Sequence, residues 1–238
     1  MRIVLAVGWL IVPVLAWAWH SGPGQQYVKL DEAGTFLAQA KEAQAQQDHA
    51  AAAEAFDAAL KALPEGRTDE SRRLRLERDK EMMLAKRLPD AHADLDDLVT
   101  ELQADPKADP KLLADARASL ANAQYYVTWL MRLRGHARDD WEPEIEASRQ
   151  TYRLLAEQAM AAGDTASVER FQKDCESAIR LARLDLDELQ GLNLPCQCCC
   201  NGKCKGSCKK PGKKPGKQPN DNFARNAGKG PPPDGSGH

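Results

Sequence analysis

The sequence predicts an all-α protein built of stacked antiparallel helical hairpins. Three observations carry that expectation. Across residues 31–190 the only Val and Ile are Val99, Val127, Ile145, Val168 and Ile179, so the β-branched runs that strands favour do not occur. Ala, Gln, Glu, Lys and Leu, which lose little rotamer freedom in a helix, dominate instead. Their apolar members recur at spacings of three and four, and Pro or Gly punctuates each run.

Residues 31–191 carry the helical body. Tyr27-Val28-Lys29-Leu30 leads into the first helix, where Asp31 is the expected N-cap. Phe36, Leu37, Ala40 and Ala43 make its apolar face, and Gln46-Gln47-Asp48-His49 is a polar turn. The second helix places Ala52, Ala55, Phe56, Ala59, Leu60 and Leu63 on one side until Pro64 and Gly66 stop it. Thr68 is then expected to cap a charged helix running to about Leu88, with Leu74, Met82, Met83, Leu84 and Leu88 as its apolar residues. Pro89 breaks it, and residues 90–103 form the partner helix with Leu95, Leu98, Val99 and Leu102 inward. Asp105-Pro106 closes this hairpin.

Asp109-Pro110 sets an acidic N-cap before a proline at the first helical position. The helix runs to about Arg134 on a stripe of Leu113, Ala116, Leu120, Ala123, Val127 and Leu130, with Tyr125, Tyr126 and Trp129 beside it and Gly135 after it. After the loop from His136 to Trp141, Glu142-Pro143 reads as a second proline start. Ile145, Tyr152, Leu155 and Ala159 point inward until Gly163. Asp164 caps a last helix reaching Gly191, striped by Val168, Phe171, Cys175, Ala178, Ala182 and Leu189. Cys175 reads as a small buried hydrophobe rather than a reactive thiol. The sum is three hairpins and a terminal helix, which covers the exposed edge of the last hairpin.

Residues 33–66 resemble the tetratricopeptide repeat, a 34-residue helix-turn-helix unit. Phe36 stands at its first-helix aromatic, Ala40 at its small-residue slot, Ala52 and Phe56 at its Ala-x3-Phe pair, and Ala59 and Pro64 at its closing Ala and Pro. The match weakens afterwards: Met82 falls in the small-residue slot and Asp94 where alanine is expected. The resemblance implies a concave groove lined by the first helix of each hairpin. In the matched unit its slots are Gly34, Leu37, Lys41, Gln44 and Ala45, and of these Leu37, Lys41 and Gln44 are the candidate protein-binding residues. The Lys/Asn/Arg set by which family members clamp a C-terminal carboxylate is missing, so binding of chaperone tails is not implied.

Charge is unevenly distributed. Residues 191–238 hold nine Lys and Arg against two acids, whereas residues 31–190 hold 22 against 33. An acidic body therefore carries a basic tail, which suits anionic envelope polymer or lipid; nucleic acid is not expected. Residues 1–24 read as a signal peptide or an N-terminal membrane anchor. The apolar run 2–19 follows a single positive charge, Arg2. Ala16-x-Ala18 offers a cleavage site, while Trp17, Trp19 and His20 suit a membrane interface. Either reading exports the body to a periplasmic or cell-envelope location.

The segment 195–208 holds Cys196, Cys198, Cys199, Cys200, Cys204 and Cys208. Two chemistries fit them. In an exported chain an even number of cysteines suggests disulfides, and the adjacent thiols of Cys198–Cys200 would have to reach beyond one another. Alternatively, the Cys-Cys and Cys-x-Cys spacings resemble metallothionein-type segments that take Zn or Cu. No Cys-x-x-Cys-His exists for a c-type haem. Residues 209–238, rich in Lys, Pro and Gly, are expected to be disordered.

No catalytic constellation appears: there is no His-Glu-x-x-His, Gly-x-Ser-x-Gly, phosphate loop or dinucleotide fingerprint. The densest titratable stretch is His136, Asp139, Asp140, Glu142 and Glu144, which reads as a solvated helix connection. The expected function is an exported, non-catalytic helical-repeat scaffold that binds a protein or peptide. The alternative is metal handling by the Cys-rich segment.

Overall fold

The computed structural model describes residues 23–191. Among them it has eight helices and no strand. They are α1 (Pro23–Ala45), α2 (His49–Ala62), α3 (Thr68–Leu84), α4 (Leu88–Ala104), α5 (Pro110–Leu133), α6 (Arg138–Ala161), α7 (Thr165–Arg183) and α8 (Leu186–Gly191). Each of α1 to α7 packs chiefly on its neighbours in sequence; α3 also meets α5, and α8 returns to α5. The all-α architecture of adjacent helical pairs is thus observed, as three hairpins with α7 laid on α6. The apolar run 2–19, the Cys-rich segment 195–208 and the tail 209–238 lie outside the described residues.

Four connections close in the same way. An N–H reaches back five residues to a carbonyl: Asp48 to Ala43 and Arg87 to Met82 at 2.9 Å, His136 to Met131 and Asp164 to Ala159 at 3.0 Å. The residue just before each donor takes left-handed angles, as this closure requires. Gly135 (φ 76) and Gly163 (φ 73) do so without a side chain, whereas Gln47 (φ 60) and Lys86 (φ 65) carry one. Asp48 and Asp164 then turn to the next helix, accepting from Ala51 N at 3.0 Å and Ser167 N at 3.1 Å. Asp109 accepts from Lys111 N at 2.9 Å, as its sequence signature predicts.

Five boundaries differ from expectation. The first helix begins at Pro23, whose fixed φ suits a helix start. Asp31 is therefore interior, its carbonyl accepting from Thr35 Oγ1 at 2.9 Å. The charged helix α3 ends at Leu84, not Leu88, because Lys86 turns the chain. Thr68 does not cap it; Arg67 occupies that position with no side-chain cap.

Glu142-Pro143 is not a start either. Helix α6 opens at Arg138 with Pro143 inside it. The extra turn seats Trp141 in an apolar cluster with Trp129, Ile145, Ala178, Leu181 and Leu189, and that burial offsets the backbone bond Pro143 forgoes.

Finally, the terminal helix is broken at Leu184. The Arg132 guanidinium, 4.6 Å over the Trp141 ring, donates to the carbonyls of Leu181 and Leu184. These are carbonyls that a helix end leaves free. The chain restarts as α8, and Leu189 folds back fully buried.

Candidate functional site

The turns of the first two hairpins lie side by side and enclose a cleft of about 510 Å³, lined by residues 46–50 and 84–86. Both non-glycine left-handed residues, Gln47 and Lys86, stand on its rim. Behind it, Glu81 of α3 is only 7% exposed. Gln44 Nε2 donates to Glu81 Oε1 at 2.7 Å, and His49 Nδ1 lies 2.7 Å from Glu81 Oε2. An ionised carboxylate only accepts, so His49 carries its proton on Nδ1 and its Nε2 is left for another partner.

This node fixes the position of the candidate groove residues. Gln44 is drawn onto α3, Leu37 is half-buried, and Lys41, Gly34 and Ala45 are exposed. Gln44 adjoins the cleft through Glu81 and His49, but none of Gly34, Leu37, Lys41, Gln44 and Ala45 lines it. Sequence spacing could not have identified Glu81, which reads there as one more acid on a charged helix.

A second polar cluster joins α2, α3 and α4. Arg78 lies 2.9 Å from Asp79, 2.7 Å from Asp94 and 3.5 Å from Asp57. Asp79 is 0% exposed, and its buried Oδ2 has no hydrogen-bond partner. Burial pushes Asp79 up to about 6, against the pull of Arg78. Nearby, buried Arg72 donates to Glu101 at 2.8 Å and to Asp105 at 2.7 Å, while Arg75 reaches Glu101 at 2.6 Å. Hydrogen bonds from Arg72 and then Arg75 hold Glu101 below its ordinary value.

The acidic stretch 136–144 does not converge. His136 stands 3.7 Å from Asp140 and Arg138 pairs with Glu142, both on the surface. Glu144 turns away to His92 of α4, Oε2 to Nε2 at 3.1 Å. The hydrogen bond that His92 donates to Glu144, outweighing burial, raises His92 above the ordinary histidine value.

Cys175 is half-buried against Ala121, Tyr152, Leu155 and Phe171. Burial pushes its thiol up, keeping it protonated and a poor nucleophile. Among the described residues no three His, Cys, Asp or Glu side chains converge to hold a metal. The six cysteines of 196–208 lie outside those residues, so their chemistry rests on the sequence.

Comparison with known protein families gives no matching family model, and comparison with curated proteins gives no relative.

Proposed function

We propose that this chain is a non-catalytic helical scaffold that binds an extended segment of another protein in the cleft between its first two hairpin turns. The observation that carries this reading is the cleft itself, walled by the two turns and backed by the Gln44–Glu81–His49 node that ties α1 and α2 to α3. Peptide grooves combine such a fixed wall with a few polar groups able to orient a backbone. Lys86, the Gln46 and Gln47 amides and His49 Nε2 supply them here.

The tetratricopeptide-like arrangement belongs to this proposal. Ala40, Ala52, Phe56 and Ala59, which carry the resemblance, are all buried. In that arrangement α1, α3 and α5 are the first helices of their hairpins. Export and envelope placement rest on the apolar run 2–19. Among the described residues no helix is long and apolar enough to cross a membrane.

A photoreactive residue at position 86, in protein recovered from its own envelope, is expected to crosslink a discrete protein partner. The same residue at position 153, exposed on α6, should not, and Lys86→Glu should weaken partner capture at least tenfold. Equal crosslinking at both positions, or none, would refute the cleft.

The cysteine density of 196–208 supports metal handling as a second reading. Its measurement is the Zn and Cu content of the full chain against one lacking those residues.

A further inference from the structure

We propose that the stacking of this protein's hairpins is proton-gated: between neutral and mildly acid pH, protonation of Asp79 and His92 locks the α3/α4 hairpin onto the hairpins before and after it. The two groups sit at the two places where that hairpin meets its neighbours.

At the first interface, Asp79 is enclosed where α2, α3 and α4 meet. The charged groups facing it are Arg78 and Arg75 on α3, Asp57 on α2 and Asp94 on α4. Arg75 is engaged by Glu101, so three carboxylates converge on the single guanidinium of Arg78. One of them is wholly out of water with an oxygen that nothing pairs. A buried ionised carboxylate costs far more than a neutral carboxyl. Protonation removes that charge and leaves Arg78 to Asp94 and Asp57, which strap α4 to α2 across α3.

At the second interface, His92 of α4 reaches Glu144 of α6 at 3.1 Å, across 52 residues of chain. Its one other charged neighbour among the described residues is Asp96 on α4 itself. Protonated, His92 makes an ion pair from the second hairpin to the third. Deprotonated, it keeps at most a neutral hydrogen bond, roughly half as strong.

Both groups act in one direction. Asp79 stands at about 6 when folded against 3.8 for an ordinary aspartate. Its destabilisation is therefore complete above about pH 6 and is relieved as pH falls through that value. From pH 7 to pH 5 this alone raises the folded-to-unfolded ratio about tenfold. His92 is raised, so its contribution is full below the ordinary histidine range and lost as pH rises through its folded value. The opposing carboxylates, Asp57 lowered by Lys61 and Arg78 and Glu101 lowered by Arg72 and Arg75, lose stability only below the ordinary carboxylate range. They do not cancel the gain between pH 5 and pH 7.

The test is thermal unfolding of the full chain from pH 8 to pH 5, for the native protein, Asp79→Asn, His92→Gln and the double variant. The native protein should gain several degrees as pH falls. Asp79→Asn, which mimics the neutral carboxyl, should start higher at pH 8 and lose most of the rise; the double variant should be flat. Amide exchange in α3 and α4 of the native protein, corrected for intrinsic rates, should slow about tenfold from pH 7 to pH 5. A flat native profile, unchanged exchange, or a rise kept by the double variant overturns the proposal.

Discussion

The two halves of the body are joined by different physics. Between the first and second hairpins polar contacts, Gln44 and His49 on Glu81 and Asp57 on Arg78, flank the small apolar contact of Ala53. Around α6 and α7 they are apolar and aromatic. Tyr152 and Phe171 lie 6.5 Å apart, and Trp129, Trp141, Ile145, Ala178 and Leu181 share one cluster. Within the first two hairpins Gln47 and Lys86 hold left-handed angles at a cost, whereas Gly66 between them and Gly135 and Gly163 later hold them without one. Apolar packing has no dependence on pH and little on salt, whereas ion pairs depend on both. The buried charges at the hairpin interfaces are thus the responsive part of the molecule, and the apolar clusters around α6 and α7 its less responsive part.

The sharpest way to break this comparison is to open each half. Trp129→Ala removes a buried indole from the C-terminal cluster and should cost about 3–5 kcal/mol by urea unfolding, equally at pH 5 and pH 7. Arg78→Met leaves Asp79 buried without its cation. It should cost about 2–3 kcal/mol at pH 7, discounted because Arg78 is partly exposed, and clearly less at pH 5, where Asp79 is neutral. If the two variants showed the same pH dependence, the division between the halves would fail.

Smaller effects belong to the turns. A Cβ added at Gly135 or Gly163 meets nothing within 4 Å, so Gly→Ala there should cost only the left-handed penalty, about 1 kcal/mol. Gln47→Gly and Lys86→Gly should do the reverse, stabilising by about 0.5–1 kcal/mol. Lys86→Gly should at the same time weaken partner capture at the cleft. A gain in stability with undiminished capture would separate the strain from the proposed function.

Much of the local structure was legible in the residues. Asp109 and Asp164 cap the helices they precede, Gly135 and Gly163 end the helices they follow, and Leu95, Leu98, Val99 and Leu102 are all buried as their spacing predicts. Pro143 misled, because a proline is read as a boundary unless something distant compensates for it, and that something was the seat of Trp141. Lys86 was invisible as a turn residue because its side chain gives no such signal. At the candidate site, Gln44 was named only through the tetratricopeptide resemblance of α1. Its partner Glu81, and the pairing of His92 with Glu144, were not, since residues 37 and 52 apart have no local pattern that joins them.

The sequence by itself determined that this chain is helical, where many of its helices start and stop, and which stripe of α4 and α6 turns inward. Those follow from rotamer freedom, backbone angles and a period of 3.6, all of which act within a few residues. Only the tertiary structure decided which charges leave water. Asp79 and Asp96 are indistinguishable acids on charged helices until the hairpins stack, and then one is sealed and the other exposed. Burial is a property of neighbours remote in sequence, and it is burial that lifts Asp79 to about 6.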